Sequence, residues 1–228
     1  MTRTTYRLAL ALSLAACSTG AAAEGVLAQL YAARPPAGSS FVRVVNPHVN
    51  PLQAQVAQGP VQDIGPDRQA TTYAIVKGNQ PFDVRIDGKL AGTLQVAPDT
   101  FNTLVPRRDG GRLSFSVIDD SAGAQDALKA ELRFYNLATD CPAAQLSVSP
   151  SGPVLFKDVE SGASAARAIN PVSAALAASC GAAASQAVSP ALQLPALQPG
   201  DHYSLFLTGT PQAPVLQGQA SGTDPYKR

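Results

Sequence analysis

The chain has 228 residues, enough for one large domain or two small ones, with 17 basic against 16 acidic side chains and no tryptophan. That near-neutral balance excludes the global electrostatic footprint expected of a nucleic-acid binder, and it supplies no field to steer an anionic polymer. Proline and glycine are plentiful, at 19 and 18 residues, and mark frequent turns.

Residues 1–23 read as an export signal. Arg3 and Arg7 give a basic start, the stretch from Leu8 to Ala16 is apolar, and small residues follow. The apolar run is far shorter than the roughly 20 residues needed to cross a bilayer. Two cleavage readings are open. Ala21-Ala22-Ala23 is an A-x-A site that leaves a soluble chain beginning at Glu24. Leu14-Ala15-Ala16-Cys17 instead resembles a lipobox, which makes Cys17 a lipidated first residue, with Ser18 after it suited to outer-membrane transfer. Both readings take the mature chain out of the cytoplasm and into the periplasm. Without Arg3 and Arg7 its charges balance to within one.

Short apolar runs then recur between turn residues: 41–45, 53–57, 72–76, 82–86, 92–96, 101–105 and 113–118. Asp87-Gly88, between Ile86 and Leu90, is a hairpin signal. Closely spaced strands with frequent turns predict an all-β sandwich rather than βαβ units. Only 126–130 and the Ala-rich 174–187 have helical character. Gly181 and the preceding Pro171 favour strand and loop for the second.

The two halves echo each other. Val42-Arg43-Val44-Val45-Asn46 matches Leu132-Arg133-Phe134-Tyr135-Asn136 as apolar, Arg, apolar, apolar, Asn. Val61-Gln62-Asp63-Ile64-Gly65 returns as Phe156-Lys157-Asp158-Val159-Glu160, and Asp99–Leu104 as Asp201–Phe206. Three echoes in one order predict two tandem small β-sandwich domains, 26–120 and 127–220. The small, polar segment 121–126 joins them and 221–228 forms a loose tail. A single sandwich of nine or ten strands is the alternative.

Beyond Cys17 two cysteines remain, Cys141 and Cys180, and a pair in an oxidising compartment predicts a disulfide. Closing such a loop stabilises by roughly 3–4 kcal/mol in the chain-entropy model. Two separate buried thiols are the other reading. No Cys/His spacing supports zinc, since the only histidines, His48 and His202, lie far apart.

Catalytic constellations are missing. His48, in Asn-Pro-His-Val-Asn-Pro, and His202, at a strand start, read as surface residues, and neither accompanies a Gly-x-Ser-x-Gly elbow. Asp119-Asp120 reads as a solvated turn, without EF-hand spacing around it. No glycine-rich phosphate loop occurs, so no catalytic residue, metal or cofactor is assigned. Arg107, Arg108 and Arg112 form the densest basic cluster, at a hairpin tip. Three guanidiniums there suit a polyanion contact with uronate carboxylates, although such clusters ordinarily mark a solvated face. Arg43 and Arg133, with Asn46 and Asn136, read as scaffold. Each Arg packs its stem on a sheet face with its head in water or on an acid, and each Asn ends its strand in a turn.

A last observation concerns wording. Leu30-Tyr31 is followed by Pro35-Pro36, then by Gly38-Ser39-Ser40-Phe41-Val42-Arg43 and Asn46. Later come Ala168-Ile169-Asn170-Pro171-Val172 and Pro199-Gly200 ahead of Tyr203-Ser204-Leu205-Phe206. These segments resemble the alginate O-acetylation accessory family AlgF, and they bracket nearly the whole mature chain. The resemblance implies a non-enzymatic periplasmic adaptor in O-acetylation of a secreted exopolysaccharide, alginate or alginate-like. Its implied partners are a membrane-bound acyltransferase and periplasmic polysaccharide acetyltransferases. Three rivals remain. A carbohydrate-binding module holding the polysaccharide directly would want exposed aromatics, which this composition supplies poorly. A periplasmic assembly chaperone would bind pilus subunits, and an esterase would release acetate.

Overall fold

The computed structural model describes residues 35–123, 126, 128–181 and 187–226. The described residues form sixteen strands and no helix. The signal segment, Cys17 and the Leu30-Tyr31 pair lie outside them.

The first eight strands make one sandwich. One sheet has β4 (Ala74–Lys77), β1 (Ser39–Val44), β7 (Phe101–Asp109) and β8 (Arg112–Asp119), in that order. The facing sheet has β3 (Gln62–Ile64), β2 (Leu52–Val56), β5 (Phe82–Ile86) and β6 (Lys89–Leu94). The next eight repeat the plan. β12 (Ser164–Ile169), β9 (Ala130–Asn136), β15 (His202–Thr210) and β16 (Ala213–Ala220) form one sheet. β11 (Val154–Glu160), β10 (Ala143–Val148), β13 (Ala175–Cys180) and β14 (Leu192–Gln193) form the other. Adding eight to every strand number of the first sandwich reproduces the second. In both, the first strand pairs in parallel with the seventh, which the intervening strands permit by crossing to the other sheet. The fold is all-β, two tandem sandwiches.

Local chemistry explains the strands. In β1, Val42 and Val44 point into the first core with Val56, Val84 and Leu104. In β9, Leu132 and Phe134 point into the second core with Leu146, Leu176 and Leu205. Burying one such side chain contributes about 1.5–3 kcal/mol. The Asp87-Gly88 turn has both residues at positive φ, 51° and 75°, the backbone a two-residue hairpin between β5 and β6 demands. The 174–187 stretch supplies β13, with residues 182–186 outside the described set.

Two expectations need correction. The echo between 99–104 and 201–206 is out by one residue. Phe41 pairs with Phe101 while Glu131 pairs with His202, so Phe101 corresponds to His202 and Thr103 to Ser204. The aromatic match of Phe101 with Tyr203 misled, and a one-residue slip exchanges the two faces of a strand. The tail is not loose between 221 and 224. Tyr73 N–H donates to Gly222 O, Asp224 N–H donates to Tyr73 O, and Ser221 N–H donates to His202 O. The tail leaves β16, in the second sandwich, and reaches Tyr73, at the head of β4 in the first. There it fills backbone partners that an edge strand otherwise leaves empty.

Candidate functional site: the junction between the sandwiches

The period of two along β1 and β9 leaves every second residue facing away from its own core. On these outer faces the sandwiches meet. Val45, Val105 and Ile118 of the first half pack against Tyr135 and Phe206 of the second, in a third apolar cluster separate from the two cores.

Arg43 enters this contact from near the C-terminal end of β1 and is 1% exposed. Its Nε donates to Thr103 Oγ1 (2.9 Å), the neighbour on β7. Its remaining bonds cross to the second half. Nη2 donates to Tyr135 OH (2.6 Å) and Ser204 Oγ (2.9 Å), and Nη1 donates to Ser221 Oγ (3.3 Å). The guanidinium carbon lies 4.5, 5.3 and 5.5 Å from the ring centroids of Tyr73, Tyr135 and Phe206. A planar, weakly hydrated cation suits such an aromatic cage. Burial alone would lower its pKa, but Tyr135, Tyr73 and Asp120 outweigh that and push it upward. Burial in turn pushes the Tyr73 and Tyr135 phenols up, so both stay neutral and donate or accept as hydroxyls.

The compensating charge is Asp120, and it overturns the reading of that residue as part of a solvated turn. Asp119 is exposed, whereas Asp120 is 5% exposed. Its Oδ2 accepts from Tyr73 OH (2.8 Å) and from Thr103 Oγ1, so Thr103 relays Arg43 to the carboxylate. The head of Arg43 therefore reaches neither water nor an acid directly; it is spent on hydroxyls of the opposite sandwich. Arg133, its counterpart in the repeat, does reach acids. Its Nη2 donates to Glu131 Oε1 (3.2 Å) and Ala122 O (2.8 Å), and Nη1 lies 3.9 Å from Asp120 Oδ1. Two arginines thus face two carboxylates, and the junction is balanced in charge.

A cleft of about 200 Å³ opens beside this cluster, with Phe101, Asp120, Glu131, Arg133, His202 and Thr223 in its walls. His202 is exposed at the mouth, its Nδ1 3.6 Å from Glu131 Oε1. The Glu131 carboxylate at that distance raises the His202 pKa above its ordinary 6.5. Burial would raise the Glu131 pKa, but His202 and Arg133 overcome it and lower it. Ser204 and Ser221, two hydroxyls in the cleft wall, are 2.8 Å apart and face each other and Arg43. The arrangement ties, orients and balances charge. Among the described residues no group of three or more His, Cys, Asp or Glu is placed to hold a metal.

The other singled-out residues lie elsewhere. Cys141 and Cys180 are joined as a disulfide inside the second sandwich, with Cα atoms 5.3 Å apart. Asn46 and Asn136 are fully buried and do more than end a strand. Asn46 Nδ2 donates to Asn50 O and Ile64 O, and Asn136 Nδ2 donates to Cys141 O and Val159 O. Each therefore clamps the first sheet of its sandwich to the second. Arg107, Arg108 and Arg112 are exposed on the β7–β8 hairpin but do not share a face. Arg107 opposes Ser114 and Arg112 opposes Asp109, on the face that meets the second sandwich, while Arg108 opposes Leu113 on the other. His48 is exposed in the loop after β1. The sequence reading missed the Arg43 cage, although the recurrence of Arg at 43 and 133 was its signal.

A family model described as alginate O-acetyl transferase AlgF matches residues 9–202. No curated protein matches the chain.

Proposed function

The chain belongs to the alginate O-acetyl transferase AlgF family and so to the machinery of alginate O-acetylation, and from that premise we propose that it is a non-enzymatic adaptor acting in the periplasm. It bridges a membrane-bound acyltransferase and the periplasmic acetyltransferases that place acetyl groups on the polymer. The observation that carries this reading is the Arg43 junction. A buried cation gripping Tyr135, Ser204 and Ser221 makes two sandwiches into one rigid body, and rigidity is what an adaptor needs to hold partners at a fixed separation. The Ser204 and Ser221 hydroxyls of the cleft are committed to that grip, a use that supports positioning rather than acyl transfer. Export through residues 1–23, with or without a lipid on Cys17, belongs to the same proposal.

Two assays on the mature protein test it. Tagged protein is recovered from detergent-solubilised envelopes and the eluate identified by mass spectrometry, and purified protein is offered a chromogenic acetyl ester. The adaptor reading expects acetylation enzymes in the eluate and no ester turnover. Ester turnover lost on Ser204→Ala or His202→Ala contradicts it. Retention of polymer without enzymes contradicts it in favour of the carbohydrate-binding module.

A further inference from the structure

Four sheets expose eight edge strands, and an unprotected edge invites another strand. Seven of the eight carry a recognisable safeguard. β3 and β14 have three and two residues. β4 has four, and its head is covered by the tail at Thr223. β6 begins with Lys89 and is bulged against β5, while β11 carries Lys157 and two register shifts against β10. β12 has Arg167 in its interior, and β16 contains Pro214 and Gly218.

Among the described residues β8 is the exception. It has eight residues, pairs with β7 without interruption from Asp119 to Arg112, and keeps its charges at the two ends. Its interior reads Leu113-Ser114-Phe115-Ser116-Val117-Ile118, of which the five residues 113–117 are symmetric about Phe115. Leu113 and Phe115 only partly join the first core, and Val117 is 46% exposed.

From this symmetry we propose that β8 pairs antiparallel with β8 of a second copy, on a two-fold axis through Phe115. A two-fold between adjacent antiparallel strands of one sheet stands perpendicular to it, so each residue must oppose one of the same face. Centring on Phe115 satisfies that rule. It sets Phe115 opposite Phe115, Leu113 opposite the other copy's Val117, and Ser114 opposite its Ser116. Apolar pairs then lie on one face and hydroxyl pairs on the other, and both kinds stabilise a ladder. The product is one continuous eight-stranded sheet. A single strand pair gives a small interface, so association is weak and concentration-dependent. This inference stands apart from the adaptor reading, because it concerns the isolated protein and is measured without partners.

Sedimentation of the purified mature chain over a concentration series reads the oligomer directly. The wild type is expected to pass from monomer to dimer. Val117→Lys, at an exposed edge position, is expected to weaken dimerisation by ~10-fold or more with an unchanged melting temperature. The register has its own signature. Phe115→Cys places two thiols directly opposite, within disulfide reach, and forms a covalent dimer on oxidation. Val117→Cys, opposed by Leu113, does not. A wild type monomeric at every concentration overturns the proposal. So does covalent dimer forming equally at both cysteines. A monomer that loses acetylation enzymes on Val117→Lys overturns it too, and assigns the edge to a partner's strand.

Discussion

Arg43 and Tyr135 stand 92 positions apart in the chain, yet the Arg43 guanidinium donates to the Tyr135 hydroxyl across the junction at 2.6 Å. The bond joins the C-terminal part of β1 to that of β9, which are equivalent strands of the repeat. It is one of four that a single buried cation makes, and three of the four cross between sandwiches.

Removing that cation takes a neighbouring positive charge from buried Asp120 and one donor each from Thr103, Tyr135, Ser204 and Ser221. Arg43→Ala is expected to cost about 3–5 kcal/mol, the order expected when four buried oxygens lose a charged donor and a buried carboxylate loses a nearby cation. Lysine should not rescue it, because one ammonium cannot reproduce the planar fork to four oxygens. Denaturant unfolding followed by calorimetry checks both. The wild type should unfold in one transition and the alanine variant in two, as each sandwich melts alone.

Truncation after Ala220 removes Ser221, Gly222 and Asp224 from the junction. Six lost hydrogen bonds at roughly 0.5–1.5 kcal/mol each predict a loss of about 3–9 kcal/mol. Hydrogen exchange at the Tyr73 amide should accelerate sharply, because its acceptor, Gly222 O, is gone. An unchanged Tyr73 amide would show that the tail contributes no restraint there.

The paired asparagines give an internal control. Asn136→Ala strips two buried carbonyls of their donor, and Asn46→Ala strips one buried carbonyl and the partly exposed Asn50 O. Each should cost about 1–3 kcal/mol. The two effects should add, since the sites serve different cores.

His202 has a raised pKa and Glu131 a lowered one, and the sign of each fixes a window. The stabilisation from charged His202 is fully present below its unfolded value near 6.5 and fades as pH rises through the raised folded value. That from Glu131 is present above its unfolded value, 4.5, and fades as pH falls through the lowered folded value. Stability from this pair is therefore greatest in mildly acidic solution. The histidine is exposed, so the dependence is shallow. An NMR titration of the His202 ring should give a midpoint above 6.5, and Glu131→Gln should move it downward.

Cys141 and Cys180 close a loop of 39 residues within one core. Reducing the bond is expected to lower stability by about 4 kcal/mol in the chain-entropy model, with the loss confined to the second sandwich. Mass spectrometry before and after alkylation, without reductant, reads whether both thiols are absent.

The strands were legible because alternation is a local property: Val42 and Val44 declare one face of β1 and Arg43 the other. The tandem plan was legible for the same reason, since Arg43 with Asn46 and Arg133 with Asn136 repeat within single strands. What could not be read was the contact between the outer faces. Ser204 and Arg43 are 161 positions apart, and no local pattern announces that two sheets will stack there. Asp120 looked like half of an exposed acidic pair until its partners Tyr73 and Thr103 arrived from distant strands. Ser221–Asp224 looked loose because its hydrogen bonds go to residues distant in the chain, Arg43, Thr72 and Tyr73 of the first sandwich and His202 and Ser204 of the second.

The central claim, that the rigid junction is what the acetylation machinery uses, has a direct test. Cells that make alginate and lack their own copy of this protein are given the wild type or Arg43→Met, and the acetyl content of the secreted polymer is measured with protein levels matched. The wild type should restore acetylation, and Arg43→Met should accumulate with two unfolding transitions yet leave the polymer poorly acetylated. Full acetylation from a variant whose sandwiches unfold independently would contradict the account.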